Sequence, residues 1–295
     1  MDQLSRPALA GGEAPMGRWR QGLKLPLLLA PAVAISIAML APIVVMAVIS
    51  LQDRFPDATR FTLDAYTGFF TDDYQLRVAW RTLLLGATVT AICLVLAYPV
   101  AWFLVFGRSR VAHLVFLAVL APLLVSIVVR TIGWTVLLGN EGLLNTTLLW
   151  LGVVDEPVAF MRSFWSVVTG MVHVLLPFMV LSIVSVLGKI DPSLAEAAGL
   201  LGARPGRVFL AVTLPMSVQG IAAGSVIVFC LTIGAYLTPL WLGRGSVAVM
   251  ALTMRQQVLD LVDWPGGAAA AMVLTLGALV VVGLYGLAVH RFGRR

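Results

Sequence analysis

Six stretches of this chain contain no Asp, Glu, Lys or Arg over a length sufficient to cross a lipid bilayer, and no other feature limits the fold as much. The gaps are 25–52, 82–107, 111–129 (running on to about 138 across Arg130), 163–188, 208–243 and 264–290. A spanning helix needs about 20 apolar residues, so each gap is read as one span. The fifth holds a helix with amphipathic flanks but is too short for two spans and a turn. Lipid offers the backbone no hydrogen-bond partner, which forces such segments into helices that satisfy themselves. The expected fold is an all-α integral membrane protein with six transmembrane helices.

Orientation follows from the loops. With both ends cytoplasmic, the inner segments hold twelve Lys and Arg against four acids, a net of +8, and the outer segments hold seven against ten, a net of −3. Basic residues accumulate on the cytoplasmic side of membrane proteins, so the N- and C-termini are expected there. The basic excess is therefore a sidedness signal; no basic run interleaved with aromatics suggests nucleic acid. Residues 1–24, with Pro7, Gly11, Gly12 and Pro15, read as a disordered cytoplasmic tail, 25–290 as the transmembrane domain and 291–295 as a basic cytoplasmic tail. The first apolar run exceeds 25 residues with no small-residue cleavage pattern, which reads as a retained anchor. Cys93 and Cys230 fall within spans as packing residues. His113, His173 and His290 lack metal-ligand spacing.

The spans carry no enzymatic signature. There is no nucleophile elbow, HExxH or intramembrane carboxylate pair, and GEAPMGR at 12–18 lacks the Lys-Ser/Thr of a phosphate loop. Ion-coupled carriers commonly place ionisable groups near the midplane, yet none of the six gaps contains an acid. If the chain transports, its energy comes from elsewhere. Pro42, Pro99, Pro122, Pro177 and Pro239 lie in spans, where neighbouring helices must compensate for the missing donor, and Gly220 and Gly224 have the spacing for a close helix contact. Arg130 is the one clear intramembrane charge. It either snorkels to the outer surface, towards Glu141, or marks the outer mouth of a solute path with Thr131, Trp134 and Thr135. Trp134 and Tyr236 are aromatic candidates for holding a cation or for anchoring at the interface.

One inner loop departs from the hydrophobic pattern. The stretch EAAGLLGARPGRVFLAVTLP, 196–215, is rich in small residues with two arginines. Asp191 is a good N-cap, Pro192 suits the first turn and Gly202 a C-terminal stop, predicting a short helix over about 192–201. Leu194, Ala197, Ala198 and Leu201 share one face at i, i+3, i+4, i+7. Pro205 then starts a second short helix leading into the fifth span. From the residues alone, this loop is either an amphipathic connector on the lipid surface or a knob that a partner pushes.

The spacing Glu196-Ala197-Ala198, Gly202, then Val212-Thr213-Leu214-Pro215 resembles the EAA loop of binding-protein-dependent ABC importer permeases, with Val212 where that pattern usually has Ile. LAYPVAWFLV at 96–105, VRTIGWTVLLGNEGLLN at 129–145 and GAYLTPLWLGR at 234–244 resemble its spermidine/putrescine-type branch. The resemblance covers roughly residues 25–290. It implies a type I importer in a bacterial inner membrane. Two permeases, usually different chains, form the pathway; an ATPase dimer beneath them binds ATP and Mg; and a periplasmic solute-binding protein delivers solute. This chain would itself hold no cofactor or metal. Carried over, Glu196, Ala197, Ala198 and Gly202 form the coupling helix within an EAA loop at 190–215, flanked by Asp191 and Arg207. The branch implies a polyamine, with opines, phosphonates, thiamine and ferric iron as alternatives. A secondary carrier, or a membrane assembly or sensor protein, remains open on the residues alone.

Overall fold

The computed structural model of the chain describes residues 18–107 and 110–292. Residues 1–17 of the expected tail, Arg108, and the C-terminal residues 293–295 lie outside the described residues. The chain divides into two units, one ending at Val48 and one beginning at Ile49. The first contains nearly all of α1 (Arg18–Ile49), which begins ahead of the apolar gap, inside the segment expected to be a tail.

The second unit starts with a short loop and α2 (Asp64–Thr71), followed by α3 (Asp73–Phe106), a 34-residue helix. At 1.5 Å per residue α3 is ~51 Å long, well beyond the ~30 Å hydrocarbon layer. Its charged N-terminal end therefore stands clear of the apolar part. Asp72 caps it by accepting from the Tyr74 amide at 2.8 Å. Next come α4 (Arg110–Leu124), α5 (Ile127–Leu138), α6 (Leu143–Trp150) and α7 (Phe164–Leu187). Beyond them are α8 (Pro192–Leu200), α9 (Pro205–Val208), a π-helical turn at Phe209–Thr213 and α10 (Leu214–Ile233). The chain ends with α11 (Leu237–Gly243), α12 (Met250–Arg255), a second π-helical turn at Gln256–Asp260 and α13 (Trp264–Phe292). Among the described residues the only β pairing is an isolated bridge between Gln52 and Phe61.

Among the described residues, six helical segments are long and apolar enough to cross a membrane: Leu29–Ile49, Asp73–Phe106, Ile127–Trp150, Phe164–Leu187, Pro205–Ile233 and Trp264–Val289. The third differs from the expected span at 111–138. The chain breaks at Val125-Ser126, where Ser126 takes an extended ψ of 138°, one turn beyond Pro122. At 15 residues α4 reaches ~22 Å, short of the hydrocarbon thickness. The segment that qualifies is instead α5 with α6. The break also moves Arg130 from the far end of a span to the first turn of α5.

The core lies among α3, α7 and α10. Leu85, Val89, Cys93, Ala97 and Ala101 form an unbroken i, i+4 ridge on α3, each fully buried, and side chains at that spacing stack on one helix face. The ridge meets Val167, Met171, Met179, Val180 and Ile183 of α7 and Val228 of α10. Cys230, by contrast, is exposed. Gly220 and Gly224 make the expected close approach, with α7 as the partner. A methyl at Gly220 would come within 2.9 Å of the Ser182 carbonyl oxygen, and one at Gly224 within 2.7 Å of Met179 Sδ. The short segments after α10 are tied back by polar contacts: the buried Thr82 hydroxyl accepts from the Met250 amide at 2.9 Å, and the Arg162 amide donates to the Leu242 carbonyl at 2.9 Å.

Candidate functional site

The loop after α7 folds as its residues predict. Asp191 caps α8 by accepting from the Ser193 amide at 2.9 Å, and that bond holds its carboxyl below the usual carboxylate range. The helix ends in a Schellman motif. The Ala203 amide reaches the Ala198 carbonyl at 3.1 Å, the Gly202 amide reaches Gly199 at 2.9 Å, and Gly202 sits at φ +82°. This closes the last carbonyls of the helix and reverses the chain, a conformation that glycine adopts without a Cβ penalty.

Within this knob, Glu196 and Ala197 are exposed and Ala198 is half-buried. Leu200 and Leu201 are 91% and 89% exposed, and Leu194 of the expected apolar face is 43% exposed. Two adjacent leucines so fully exposed on a capped, glycine-stopped helix form an apolar surface that no described residue covers. Arg207 is exposed on α9, in its last turn.

The knob is joined to the bundle through aromatic rings. Phe209, the first residue of the π-helical turn, lies edge-on to Tyr98 at 5.6 Å and to Trp102 at 5.3 Å, and Trp102 stacks obliquely on Phe106 at 4.4 Å. The Tyr98 and Ser217 hydroxyls are bonded at 3.1 Å, linking α3 to α10. A cavity of about 430 Å³ beneath the knob is walled by Trp102, Phe106, Ile190, Asp191 and Phe209. The π-helical turn that follows α9 is thus joined to α3 by edge-on rings, and α3 to α10 by the hydroxyl pair. Sequence reasoning missed Tyr98, Trp102, Phe106 and Phe209; the first three stand at i, i+4, i+8 on one helix face.

The second group of expected residues is only partly assembled. On α5, Trp134 donates through Nε1 to His173 Nδ1 on α7 at 3.1 Å, with the rings edge-on at 5.6 Å. Arg130 stands four residues before Trp134, one turn back on the same helix. Its Nε and Nη1 are buried without a hydrogen-bond partner, and the only ion pair among the described residues joins Arg255 to Asp260. The expected pairing with Glu141 is thus not made. A guanidinium in the first turn of a helix also opposes the helix dipole, and neither of these two nitrogens is paired among the described residues. Thr131 is 2% exposed and donates its hydroxyl to the Ile127 carbonyl at 2.7 Å, which turns it away from any open path. Thr135 likewise bonds its own helix, to the Ile132 carbonyl. Tyr236 is half-buried at the start of α11, a helix that packs against α5 and α7. His173, one of three scattered histidines, carries no signal in the sequence.

No protein-family model matches the chain. It is similar to the spermidine/putrescine transport system permease protein PotB of Escherichia coli (strain K12), 35% identical over 234 residues that cover 79% of this chain and 83% of that protein. The PotB of Haemophilus influenzae is 31% identical, covering 76% and 78% of the two chains. A putative 2-aminoethylphosphonate transport system permease protein, PhnU of Salmonella choleraesuis, is 28% identical, covering 73% and 76%. Among solved structures, a chain of a bacterial alginate ABC transporter in complex with an alginate pentasaccharide-bound periplasmic protein superposes with a TM-score of 0.78 at 19% identity, covering 94% of this chain and 98% of that one. A chain of the MetNI methionine ABC transporter gives 0.53 at 17% identity, covering 74% and 94%.

Proposed function

The chain belongs to the type I ABC importer permeases, in the branch that includes the spermidine/putrescine permeases, and from that premise we propose that it is the membrane pathway for a small amine, a polyamine first. In this reading it sits in a bacterial inner membrane with both termini cytoplasmic. Its tail is 1–24, its permease domain 25–290 and its basic terminus 291–295. An ATPase dimer that binds ATP and Mg supplies the energy, a second permease completes the pathway, and a periplasmic binding protein presents the solute.

One observation carries the mechanism: the capped, glycine-stopped α8 presents Glu196 and uncovered leucines on a knob whose base is stacked into the bundle through Phe209. Asp191, Glu196, Ala197, Ala198, Gly202 and Arg207 form the ATPase contact. When the ATPase subunits close, the knob moves as a body, and the rings at Tyr98 and Trp102 pass that movement to α3 and α10. The solute route needs only transient contacts, because selection rests with the binding protein. The test is ATP-dependent uptake of labelled putrescine by proteoliposomes containing the permeases, the ATPase and the binding protein. Glu196→Arg and Gly202→Asp abolish uptake and weaken ATPase capture; wild-type uptake by both would remove the proposal.

A second reading is favoured by Arg130. Its buried, unpartnered nitrogens suit an anionic group better than a cation, and a zwitterionic amine such as an aminophosphonate supplies both charges. Arg130, Trp134 and Tyr236 then border the path, with Nε and Nη1 of Arg130 free to donate and Thr131 bonded back to its own helix beside them. Competition of uptake by 2-aminoethylphosphonate, lost in Arg130→Ala, distinguishes this from a polyamine route; unchanged uptake at normal membrane levels removes Arg130 from the path.

A further inference from the structure

The N-terminal end of α3, far from the knob, carries a polar cavity of about 280 Å³ lined by Gln52, Asp53, Asp64, Gln75, Gln257 and Asp263 among others. Gln75 and Trp102 are 27 positions apart on the same helix, or ~40 Å, so the cavity and the coupling knob occupy opposite ends of the bundle. The six side chains come from distant parts of the sequence: the loop after α1, the starts of α2 and α3, the second π-helical turn and the residue preceding α13.

The carboxylates alone have ordinary explanations. Asp53 accepts from the Thr59 hydroxyl and from the Thr59 and Arg60 amides, Asp263 caps α13 by accepting from the Gly266 amide at 2.9 Å, and Asp64 lies in the first turn of α2. The glutamines have none. Oε1 of Gln52, of Gln75 and of Gln257 is in each case buried without a hydrogen-bond partner, and Gln257 as a whole is 8% exposed. Buried side-chain oxygens are nearly always paired. Three unpaired ones line a single cavity here, together with three carboxylates and no Lys, Arg or His.

Such a lining lacks a partner that only donates and is positively charged. An ammonium group has three donors and no acceptor, which matches three free carboxamide oxygens. A hard metal ion fits less well, since calcium takes 6–8 oxygens in a tight shell. No group of three or more carboxylate, His or Cys side chains is close enough to hold a metal among the described residues. The cavity volume corresponds to about nine waters at ~30 Å³ each, room for an alkyl chain as well as its charged end.

We propose that this cavity binds the primary ammonium end of an alkylamine, with Gln52, Gln75 and Gln257 as the hydrogen-bond acceptors and Asp53, Asp64 and Asp263 supplying the field. The inference rests on the amine-import reading in naming the imported amine as the occupant, held at the mouth opposite the coupling knob before it enters the bundle. A lysine side chain of a docked binding protein would present the same chemistry, and the two sources separate on whether a free amine binds.

The experiment is titration calorimetry on the full chain in lipid nanodiscs, with putrescine, n-butylamine, 1,4-butanediol and calcium as separate probes. Saturable binding of both amines, none of the diol and none of calcium is expected. Gln257→Leu and the less buried Gln52→Leu should each weaken putrescine at least tenfold while keeping the wild-type circular dichroism spectrum; Gln52→Leu answers alone if Gln257→Leu misfolds. Absence of amine binding, equal binding by the folded variants, or binding of calcium in place of amine overturns the proposal. ATPase capture by the knob is measured in the same preparation and does not involve these glutamines. Its loss therefore counts against the import reading, and loss of amine binding alone counts against the cavity.

Discussion

Replacing Gly202 separates backbone geometry from surface fit in the coupling knob. At φ +82° with no heavy atom of the described residues within 4 Å of where a Cβ would lie, an added Cβ meets no steric obstacle there. The cost is conformational. An L-residue in the left-handed region loses about 1–2 kcal/mol, which shifts the population of the reversed turn by a factor of about 5–30. Asn tolerates the region far better than Ala, and a β-branched residue worse. ATP-dependent uptake should therefore fall in the order Gly, Asn, Ala, Val, with Gly202→Ala down by at most about 5–30-fold, the full change in the turn's equilibrium constant. Hydrogen exchange of the Gly202 and Ala203 amides should quicken in the same order, because their bonds to Gly199 and Ala198 define the turn. Equal and complete loss in Asn and Ala, with amide protection intact, would refute this account and assign the glycine requirement to a partner surface that excludes any Cβ.

Other perturbations test the bundle and its loops. Gly220→Ala should lower the thermal unfolding midpoint in detergent more than Gly224→Ala. At Gly220 the new methyl meets a carbonyl oxygen of the α7 backbone, whereas at Gly224 the nearest atom is the flexible Met179 thioether; overpacking of this kind costs about 1–3 kcal/mol. Asn145 is fully buried and donates to the Gly139 and Val158 carbonyls while accepting from the Val158 amide. Asn145→Ala leaves the Val158 amide unpaired at about 1–3 kcal/mol, while the Gly139 and Val158 carbonyls keep the Gly142 and Phe160 amides as donors, and chemical denaturation should show a loss of at least the lower figure. The Thr59 hydroxyl and the neighbouring amides lower the Asp53 pKa from 3.8 to about 2. Its contribution to loop order is complete above 3.8 and fades as pH falls through about 2. A carboxyl-carbon NMR titration should find it still charged at pH 3, and Thr59→Val should move it back towards the ordinary value.

Much of this architecture is legible from charge spacing, because expelling ionised groups from lipid is a strong constraint that acts residue by residue. The five spans other than the third follow the gaps. The third departs from its gap because the break depends on Ser126 adopting an extended conformation, and Pro122 alone is equally compatible with a bent continuous helix. The coupling knob is legible for a different reason: Asp191, Pro192, Gly202 and Pro205 are local signals whose effect is felt within four residues. What stays hidden depends on tertiary contact. The Tyr98, Trp102 and Phe106 stripe can be read from its spacing, but its partner Phe209 lies a hundred positions away. His173 becomes notable only when α5 brings Trp134 to it. Gln52, Gln75 and Gln257 have no pattern in one dimension, and only the fold brings the loop after α1, the start of α3 and the second π-helical turn to one cavity.

The central claim is that the knob at 190–215 is the handle through which an ATPase moves the bundle, and cross-linking from Ala198 tests it most directly. With Cys93 and Cys230 replaced, Ala198→Cys in working membranes should form a short cross-link to a nucleotide-hydrolysing subunit, with a yield that changes on adding ATP. Labelling of Ala198→Cys from the periplasmic side, or failure to capture such a subunit in membranes that take up solute, would contradict the account.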